Sequence, residues 1–368
     1  MPSPDLIHDL ERQLTVCNAC RYCEGYCAVF PAMELQRTFD EKDVIHLANL
    51  CFDCRACYYA CPYTPPHDYG INLPEKFAEV RRETYQEYSS PRFLSRLLQG
   101  NALRIGLYTT AAAAIVFLLA LVVQGPGVMF DTDSSEGSFF RIVPYAAMVA
   151  PALVLSGWWL GVLALGAVRF WRETRARPGE LVDAGSFWRA TKDAFGLEYL
   201  RGGGDGCDYP GPVKSMARRW LHHALVIGVL LDFASTTVAA VNHNFLNDDP
   251  PYGYLSAPVL LGAAGGVLII AGGLGLLWLK QRSDRDPANT SMLSLDYSFL
   301  LLLIVASVSG LALMALRATA AQGTLLTLHL GVIAALFLAL PYGKFAHVVY
   351  RYAALVRYHV DMSRAEGS

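Results

Sequence analysis

Eight of the nine cysteines in this 368-residue chain lie in two short runs near its start. Both runs have the spacing C-x2-C-x2-C-x3-C, and Pro62 follows the second run directly. In bacterial ferredoxins with this spacing, three thiolates of a run bind one iron–sulfur cluster and the fourth binds the other cluster. We therefore predict two 4Fe-4S clusters with crossed ligands, Cys17, Cys20, Cys23 and Cys61 on the first cluster and Cys51, Cys54, Cys57 and Cys27 on the second.

Zinc is the alternative metal for these cysteines, because C-x2-C pairs also build structural zinc sites. Zinc sites usually combine two separated pairs, so two consecutive runs of four cysteines favour iron–sulfur clusters. Disulfides between such close neighbours would be strained. Iron–sulfur clusters indicate a reducing compartment, so we expect the cysteine-rich region to face the cytoplasm.

Five of the nine histidines lie near the ends of two apolar segments, and they are His222, His223, His243, His329 and His347. Ionisable or ligating residues at membrane depth are rare and are functional as a rule. His329 and His347 are eighteen residues apart, so they share one helix face and lie roughly 27 Å from each other. His222 and His243 are only about 60° off a shared face, whereas His223 and His243 are about 160° apart.

Antiparallel packing of these two segments would bring His222 or His223 level with His347, and His243 level with His329. Paired histidines at one depth supply the two axial ligands of a six-coordinate b-type haem. A single histidine at a helix end is commonly an interfacial residue, but four histidines paired by depth predict one or two b-type haems. Basic residues near the cytoplasmic pair are candidates for haem propionates or simply membrane anchors, and they are Arg218, Arg219, Lys344 and Arg351.

Six apolar segments are long enough to cross a bilayer, and they cover about residues 103–123, 143–168, 221–241, 257–279, 295–316 and 325–342. The composition agrees, with 54% hydrophobic and 17% charged residues. We predict a mainly α fold, with a small two-cluster ferredoxin-type domain over residues 1–95 and a six-helix, haem-binding transmembrane bundle over residues 96–368. The interval between the cysteine runs is rich in Glu, Lys, Leu and Ala, which favours a helical ferredoxin-type domain.

Positive charges lie in every second loop of the predicted membrane domain. The long loop 169–220 carries ten Lys and Arg residues, including Arg175 and Arg177, whereas the loop 242–256 has none. The positive-inside rule therefore places the basic loops and both termini in the cytoplasm of a bacterium, with the chain crossing the inner membrane several times. The polar first residues predict no signal peptide, and a net charge of −2 gives no reason to expect a nucleic-acid partner.

A glycine-rich stretch, residues 202–206, lies in the long basic loop directly before the ninth cysteine, Cys207. It lacks the following helix and the Lys-Ser/Thr ending of a phosphate-binding loop, and the chain contains no G-x-G-x-x-G after a strand. The sequence therefore predicts no flavin or nicotinamide domain. It predicts that Cys207 is an isolated loop thiol or part of a docking element.

Residues 17–33, residues 51–62 and the loop 202–210 resemble the tricarballylate-utilisation family TcuB, also called CitB. The resemblance implies a membrane electron-transfer protein. In that family a separate soluble FAD-dependent dehydrogenase of the TcuA type oxidises tricarballylate to cis-aconitate. The membrane protein reoxidises the flavin through iron–sulfur centres and haem, and delivers the electrons to a membrane quinone. A related fused protein, CobZ, joins a flavin half to such a membrane half and serves cobalamin synthesis.

The residues and the resemblance together predict an electron-transfer subunit rather than a stand-alone catalyst. Electrons from the FAD dehydrogenase would cross two 4Fe-4S clusters and haem b to reach quinone in the lipid bilayer. Three alternatives remain: a CobZ-like redox partner, a quinone-linked reductase with another donor, and a zinc-binding structural membrane protein. Trp220, at the head of the third apolar segment, is a candidate for a quinone pocket, with interfacial anchoring as its simpler role.

Overall fold

The structure is a computed structural model that describes residues 2–99, 102–174 and 182–367. Helices dominate it, and the strands of the described residues form one small antiparallel pair, β1 (Cys207–Asp208) and β2 (Lys214–Ser215). The predicted mainly α fold is therefore confirmed. Arg175 and Arg177, which belong to the predicted basic loop, lie outside the described residues.

The N-terminal part contains six helices, α1 (Pro4–Cys20), α2 (Val29–Glu34), α3 (Glu41–Leu50), α4 (Ala56–Tyr59), α5 (Leu73–Tyr88) and α6 (Arg92–Leu98). Side-chain caps fix two of their starts: Ser3 accepts from the N–H of Leu6 before α1, and Asp40 forms a capping box with Asp43 before α3. No strand occurs among residues 2–99, so the expected helical form of the N-terminal domain is confirmed.

The remaining helices are α7 (Ala102–Met129), α8 (Ser138–Ile142), α9 (Tyr145–Thr174), α10 (Ala184–Gly196), α11 (Ala217–Val241), α12 (Ala257–Arg282), α13 (Thr290–Leu316), α14 (Gln322–Ala339) and α15 (Ala346–Gly367). A π-helix, Asn242–Leu246, extends α11, and short 3-10 turns cover Glu198–Leu200 and Leu340–Tyr342. The sequence predicts that the sixth apolar segment ends near residue 342, whereas in the structure the helices continue beyond this residue. The chain bends at the turn containing Pro341 and continues as α15.

Six helical segments are long and apolar enough to cross a membrane, and they are Ala102–Met129, Tyr145–Thr174, Ala217–Leu246, Ala257–Arg282, Thr290–Leu316 and Gln322–Gly367. The chain is therefore a multi-pass membrane protein, as the hydropathy predicts. Within this bundle α12 packs between α11 and α13, and α14 packs between α13 and α7.

The helices α11 and α12 approach closely along a line of glycines. A Cβ atom added to Gly228 would lie 2.7 Å from the carbonyl oxygen of Gly265, and one added to Gly272 would lie 2.7 Å from that of Leu221. Backbone atoms that close leave no room for a side chain, so glycine sets the spacing of the two helices. This spacing positions the N-terminal turns of α11, which carry His222.

The helix α15 joins the N-terminal domain to the bundle. It packs against α3 of that domain and against α9 and α10. The ring Nε2 of His46 on α3 lies 3.1 Å from the carbonyl oxygen of Ala354, and Arg357 forms a buried ion pair with Asp43 at 3.4 Å. These contacts hold the cysteine-rich domain against the end of the bundle.

Candidate functional site

The first set of predicted cluster ligands lines one cavity of the N-terminal domain, with about 310 Å³ of empty volume. Its thiols come from the last turn of α1, from the turn that follows and from the chain after α4, and they are Cys17, Cys20, Cys23 and Cys61. Cys20 is exposed, whereas the other three are half-buried. This group, called the outer site below, therefore faces solvent.

The second set lines a neighbouring cavity with about 370 Å³ of empty volume, and its thiols are Cys27, Cys51, Cys54 and Cys57. The chain between them folds tightly because Asp53 and Arg55 have φ angles of 55° and 64°, in the left-handed region. Cys51 and Cys54 are buried. This group, called the inner site below, lies on the side of the domain that contacts the membrane helices.

The thiols of each site lie around a cavity and do not point at one common centre. Among the residues that the structure describes, no three His, Cys, Asp or Glu side chains are arranged to hold a single metal ion. A zinc ion needs its four sulfur ligands at about 2.3 Å from one centre, whereas a cubane cluster keeps its thiolates apart around a core. The two cavities therefore fit iron–sulfur clusters better than zinc.

The buried and half-buried thiols of both sites are protonated at neutral pH in the absence of metal. Burial, with a smaller effect of neighbouring thiols, raises the pKa of Cys17 and Cys23 to about 12. Burial also raises the pKa of Cys27 and Cys57 well above the ordinary thiol value. Since metals bind the thiolate, insertion of a cluster must release these protons.

Backbone N–H groups point at two of the sulfur atoms. The N–H of Asp53 donates to Sγ of Cys51, and the N–H of Tyr63 donates to Sγ of Cys61, both at 3.4 Å. Hydrogen bonds to a ligating sulfur stabilise its negative charge and are one of the means by which proteins set cluster potentials.

Cys207 lies against the inner site. It is fully buried and within hydrogen-bonding distance of the Cys54 thiol, and its own thiol donates to the carbonyl of Leu200 at 3.1 Å. The glycine-rich stretch makes this possible, because a Cβ on Gly206 would lie 2.5 Å from the backbone of Ser215. The sequence predicted a loop thiol or part of a docking element, and the structure places Cys207 beside the predicted cluster ligand Cys54.

Four arginines surround the loop of the inner site, and they are Arg55, Arg81, Arg218 and Arg351. Burial raises the pKa of Asp53, but the guanidinium groups of Arg55 and Arg218 more than offset it and hold that pKa below its usual value. Four cations around one carboxylate leave an excess of positive charge in a buried place, which requires compensation. An anionic cluster with four thiolates supplies it, so the charge of this pocket also fits the predicted cofactor.

His222 on α11 and His347 on α15 face each other. Their ring centroids are 6.3 Å apart, with an angle of 88° between the ring planes. Two imidazole nitrogens that each bind one metal at about 2 Å place the ring centroids roughly 6 Å apart. The pair therefore has the spacing that axial ligands of one haem iron require.

Hydrogen bonds leave the appropriate nitrogens available. Nδ1 of His347 lies 2.5 Å from the carbonyl oxygen of Lys344, so this nitrogen carries the proton and Nε2 keeps its lone pair. In the part of the chain that the structure describes, Nδ1 of His222 is buried without a partner. Nε2 of His223 instead lies 3.1 Å from the carbonyl of Phe195, away from the pair. Of the two neighbouring histidines, His222 is therefore the one that meets His347.

The other predicted pair is not brought together. Nδ1 of His243 is hydrogen-bonded to Asp249, and its ring lies 3.9 Å from that of Tyr145 between centroids. Nδ1 of His329 is 2.9 Å from the hydroxyl of Ser309 on α13. Among the described residues no ring contact joins His243 to His329.

The four propionate candidates all have protein partners. Arg218 and Arg351 donate to backbone carbonyls of the inner-site loop. Arg219 donates to Gly196 at 2.7 Å, and Lys344 pairs with Asp296 at 2.7 Å. Arg218 and Arg351 therefore contact the inner site. Trp220 is 61% exposed, in agreement with an interfacial anchor.

Sequence reasoning missed a buried ion triad beside the histidine pair. Asp296 is 6% exposed, and it accepts from Lys280 at 2.5 Å as well as from Lys344. A carboxylate inside the fifth apolar segment was a visible signal, since ionisable groups in such segments are rare and usually paired. The triad connects α12, α13 and the turn before α15.

The comparisons with known proteins agree with this architecture. Residues 97–368 match the family described as Citrate utilization protein B, and residues 10–87 match the Citrate utilization protein B Fer4-like domain. A protein of Escherichia coli described as "Citrate utilization protein B" is 40% identical over 365 residues, which cover 97% of this chain and 93% of that protein. No solved structure matches the chain. With its Fer4-like domain and its membrane helices both matched, the chain belongs to the Citrate utilization protein B family.

Proposed function

We propose that this protein is the membrane electron-transfer partner of a soluble FAD dehydrogenase of the tricarballylate type. It would reoxidise the flavin through two 4Fe-4S clusters and one b-type haem, and pass the electrons to the quinone pool of the bacterial inner membrane. Both termini would lie in the cytoplasm. The family name supports a role in the use of tricarboxylates, since tricarballylate is citrate without its hydroxyl group.

The observation that carries this proposal is the position of the histidine pair beside the inner site. The helices α11 and α15 each place a histidine in the pair, and each also places an arginine on a backbone carbonyl of the inner-site loop. A redox centre at the pair would thus lie next to a redox centre at the inner site. Such an arrangement has no evident use in a zinc-binding structural protein.

The exposure of the two cysteine sites supports one direction of electron transfer. The outer site has the exposed Cys20, and the adjacent Tyr22 is 66% exposed, so a soluble partner can approach it. The inner site has the buried Cys51 and Cys54 and lies towards the membrane. Electrons would therefore enter at the outer site and leave through the inner site.

The carbon chemistry belongs to the partner. Oxidation of tricarballylate to cis-aconitate removes two electrons and two protons, which the partner's FAD accepts. Bound clusters and haem supply one-electron chemistry, which splits this pair of electrons into single steps. The residues of this chain hold the centres, exclude water from the inner site and bring it close to the histidine pair.

A reduced-minus-oxidised optical spectrum, with haem and iron counted against protein, tests the proposal. We expect b-type haem bands at about one haem per chain, with iron for two 4Fe-4S clusters in addition. Purified protein that contains zinc without iron, and that shows no haem bands, would contradict it and support the structural alternative.

Two neighbouring thiols provide a sharper test of the electron path. Cys54→Ala should lose about half of the cluster iron and block reoxidation of the flavin partner by membranes, while the haem bands remain. Cys207→Ala removes the adjacent thiol and should retain the iron of both clusters. Continued flavin reoxidation in the Cys54→Ala membranes would show that electrons do not pass through the inner site.

The donor can be distinguished in the same assay. Membranes with reduced tricarballylate-type flavoprotein should reduce quinone, whereas reduced ferredoxin or a flavoprotein of cobalamin synthesis should not. Faster reduction by one of the latter donors would favour the corresponding alternative and leave the electron-transfer role intact.

A further inference from the structure

We propose that Arg218 and Arg351 form a charged bridge between the inner site and the histidine pair, and that this bridge raises the reduction potentials of both centres together. The inference rests on the proposed function, because it needs a cluster at the inner site and a haem at the pair. It assigns to two arginines a positioning and tuning role rather than contact with a substrate.

Arg351 contacts the inner site from α15. Its Nη2 donates to the carbonyl oxygen of Cys51 at 2.9 Å, and its guanidinium carbon lies 4.5 Å from the centre of the Phe52 ring. Nε of Arg351 is buried without a partner among the described residues. The guanidinium group is thus fixed against the backbone of a cluster ligand by a hydrogen bond and a cation–π contact.

Arg218 makes the equivalent contact from α11. Its Nη1 donates to the carbonyl oxygen of Asp53, and its guanidinium carbon lies 4.8 Å from the centre of the Tyr209 ring. Tyr209 is 1% exposed and comes from the loop that also carries Cys207. Two guanidinium groups from two helices therefore hold the same short loop.

Each arginine is one helical turn from a histidine of the pair. Arg218 precedes His222 by four residues and Arg351 follows His347 by four, so each guanidinium group starts about 6 Å along the axis from its histidine. The same two cations thus lie close to both predicted redox centres.

The sign of the effect follows from electrostatics. Reduction adds negative charge to a cluster or a haem, and a nearby cation stabilises the reduced form and raises the potential. Burial strengthens this effect because little water screens it. Arg55, Arg81, Arg218 and Arg351 all contact the inner-site loop, residues 51–55, whose one carboxylate is Asp53, so the inner-site pocket is positive. Loss of either arginine should therefore lower both potentials.

The test is a redox titration of the purified full-length protein carrying Arg218→Gln or Arg351→Gln. Optical spectra follow the haem and electron paramagnetic resonance follows the clusters. We expect each variant to lower the reduction potentials of the haem and of the inner cluster by about 59 mV. This shift corresponds to a tenfold change in the one-electron equilibrium constant. The outer cluster should change much less. Arg282→Gln, at the exposed end of α12 where Arg282 contacts Trp278, is the matched control and should leave all potentials unchanged.

Lysine variants separate charge from structure. Arg218→Lys and Arg351→Lys keep the charge and should keep the potentials close to the wild-type values, even if glutamine at these positions weakens cofactor binding. Potentials that stay unchanged in the glutamine variants, or that fall equally with lysine, would overturn the inference. Wild-type protein without haem bands would instead contradict the proposed function, so the two failures are distinguishable.

Discussion

His222 and His223 are adjacent in the sequence and have different surroundings. The ring of His222 faces His347, whereas His223 bonds the backbone of α10. Helical geometry already favoured His222, because it lies closer to the face of His243. The structure supplies the additional observation that a hydrogen bond to Lys344 fixes the tautomer of His347.

His347→Ala should remove most of the proposed haem, because one of its two axial nitrogens would be lost. The measurement is the ratio of haem absorbance to protein after purification. His223→Ala is the matched control, since its imidazole bonds Phe195 outside the pair, and it should keep the wild-type ratio. Equal haem loss in both variants would contradict the assignment of His347, rather than His223, as a haem ligand.

Some residues of the site could be found from the sequence and others could not. The cysteine spacing is a local property, so it located the thiols of both cavities. Cys207 is remote in sequence from Cys54, and only the tight glycine turn brings them together. The propionate candidates were found as basic residues near a membrane end, but their bonding to the inner-site loop depends on the tertiary fold.

At the scale of elements, the pair α11 and α12 shows how packing positions the site. The fourth apolar segment contains six glycines between residues 262 and 275. The sequence does not show which helix packs against these glycines, because hydropathy carries no information about neighbours in a bundle. The structure identifies α11, whose backbone touches the positions of Gly265 and Gly272.

 Gly272→Ala should destabilise the bundle by about 1–3 kcal/mol, because its Cβ would lie 2.7 Å from the carbonyl oxygen of Leu221 on α11, the residue directly before His222. The displacement of α11 should also lower the haem content.

The measurement is the thermal midpoint in detergent, together with the ratio of haem to protein. Gly157→Ala in α9 is the matched control, because a Cβ there meets nothing within 4 Å, and the better helix propensity of alanine should leave the midpoint unchanged or slightly higher. A Gly272→Ala protein as stable as the control would show that the helices can separate without cost.

At the scale of the whole molecule, the N-terminal domain and the membrane bundle share one packed interface. The buried core of the domain is continuous with residues of α15, including Tyr350 and Leu355. His46 lies in this interface against Ala354. Its environment gives the interface a dependence on pH that can be measured.

Burial, strengthened by the charge of Arg357, holds the pKa of His46 well below its usual value. The unfolded chain binds the proton below about pH 6.5 whereas the folded protein does not, so stability falls as the pH drops below that value, by up to about 1.4 kcal/mol per unit. His46→Gln can keep the hydrogen bond to Ala354 and should show a smaller loss. The measurement is the thermal midpoint between about pH 7.5 and 5.5.

His8→Gln is the control for this experiment, because His8 is exposed on α1. It should follow the wild-type pH dependence. If the His46→Gln protein loses as much stability at low pH as the wild type, protonation of His46 does not control the interface.

The predicted topology places both ends of the chain on one side of the membrane. A phosphatase that is active only outside the cytoplasm should be active when fused at Asp249, between α11 and α12, and inactive when fused after α15. A fluorescent protein that folds only in the cytoplasm should show the opposite pattern. Equal phosphatase activity at both positions would contradict the three spans that the prediction places between Asp249 and the end of α15.

The burial of the inner site has a consequence for biogenesis. Its thiols emerge early from the ribosome, whereas Cys207 and Arg351, which close over them, are translated much later. Because N-terminal domains fold first during synthesis, we expect iron and sulfide to reach the inner site while the chain is still nascent. If the chain were completed without metal, Cys207 and Arg351 would enclose an empty inner site. Later insertion of a cluster would then require the N-terminal domain to separate from α15.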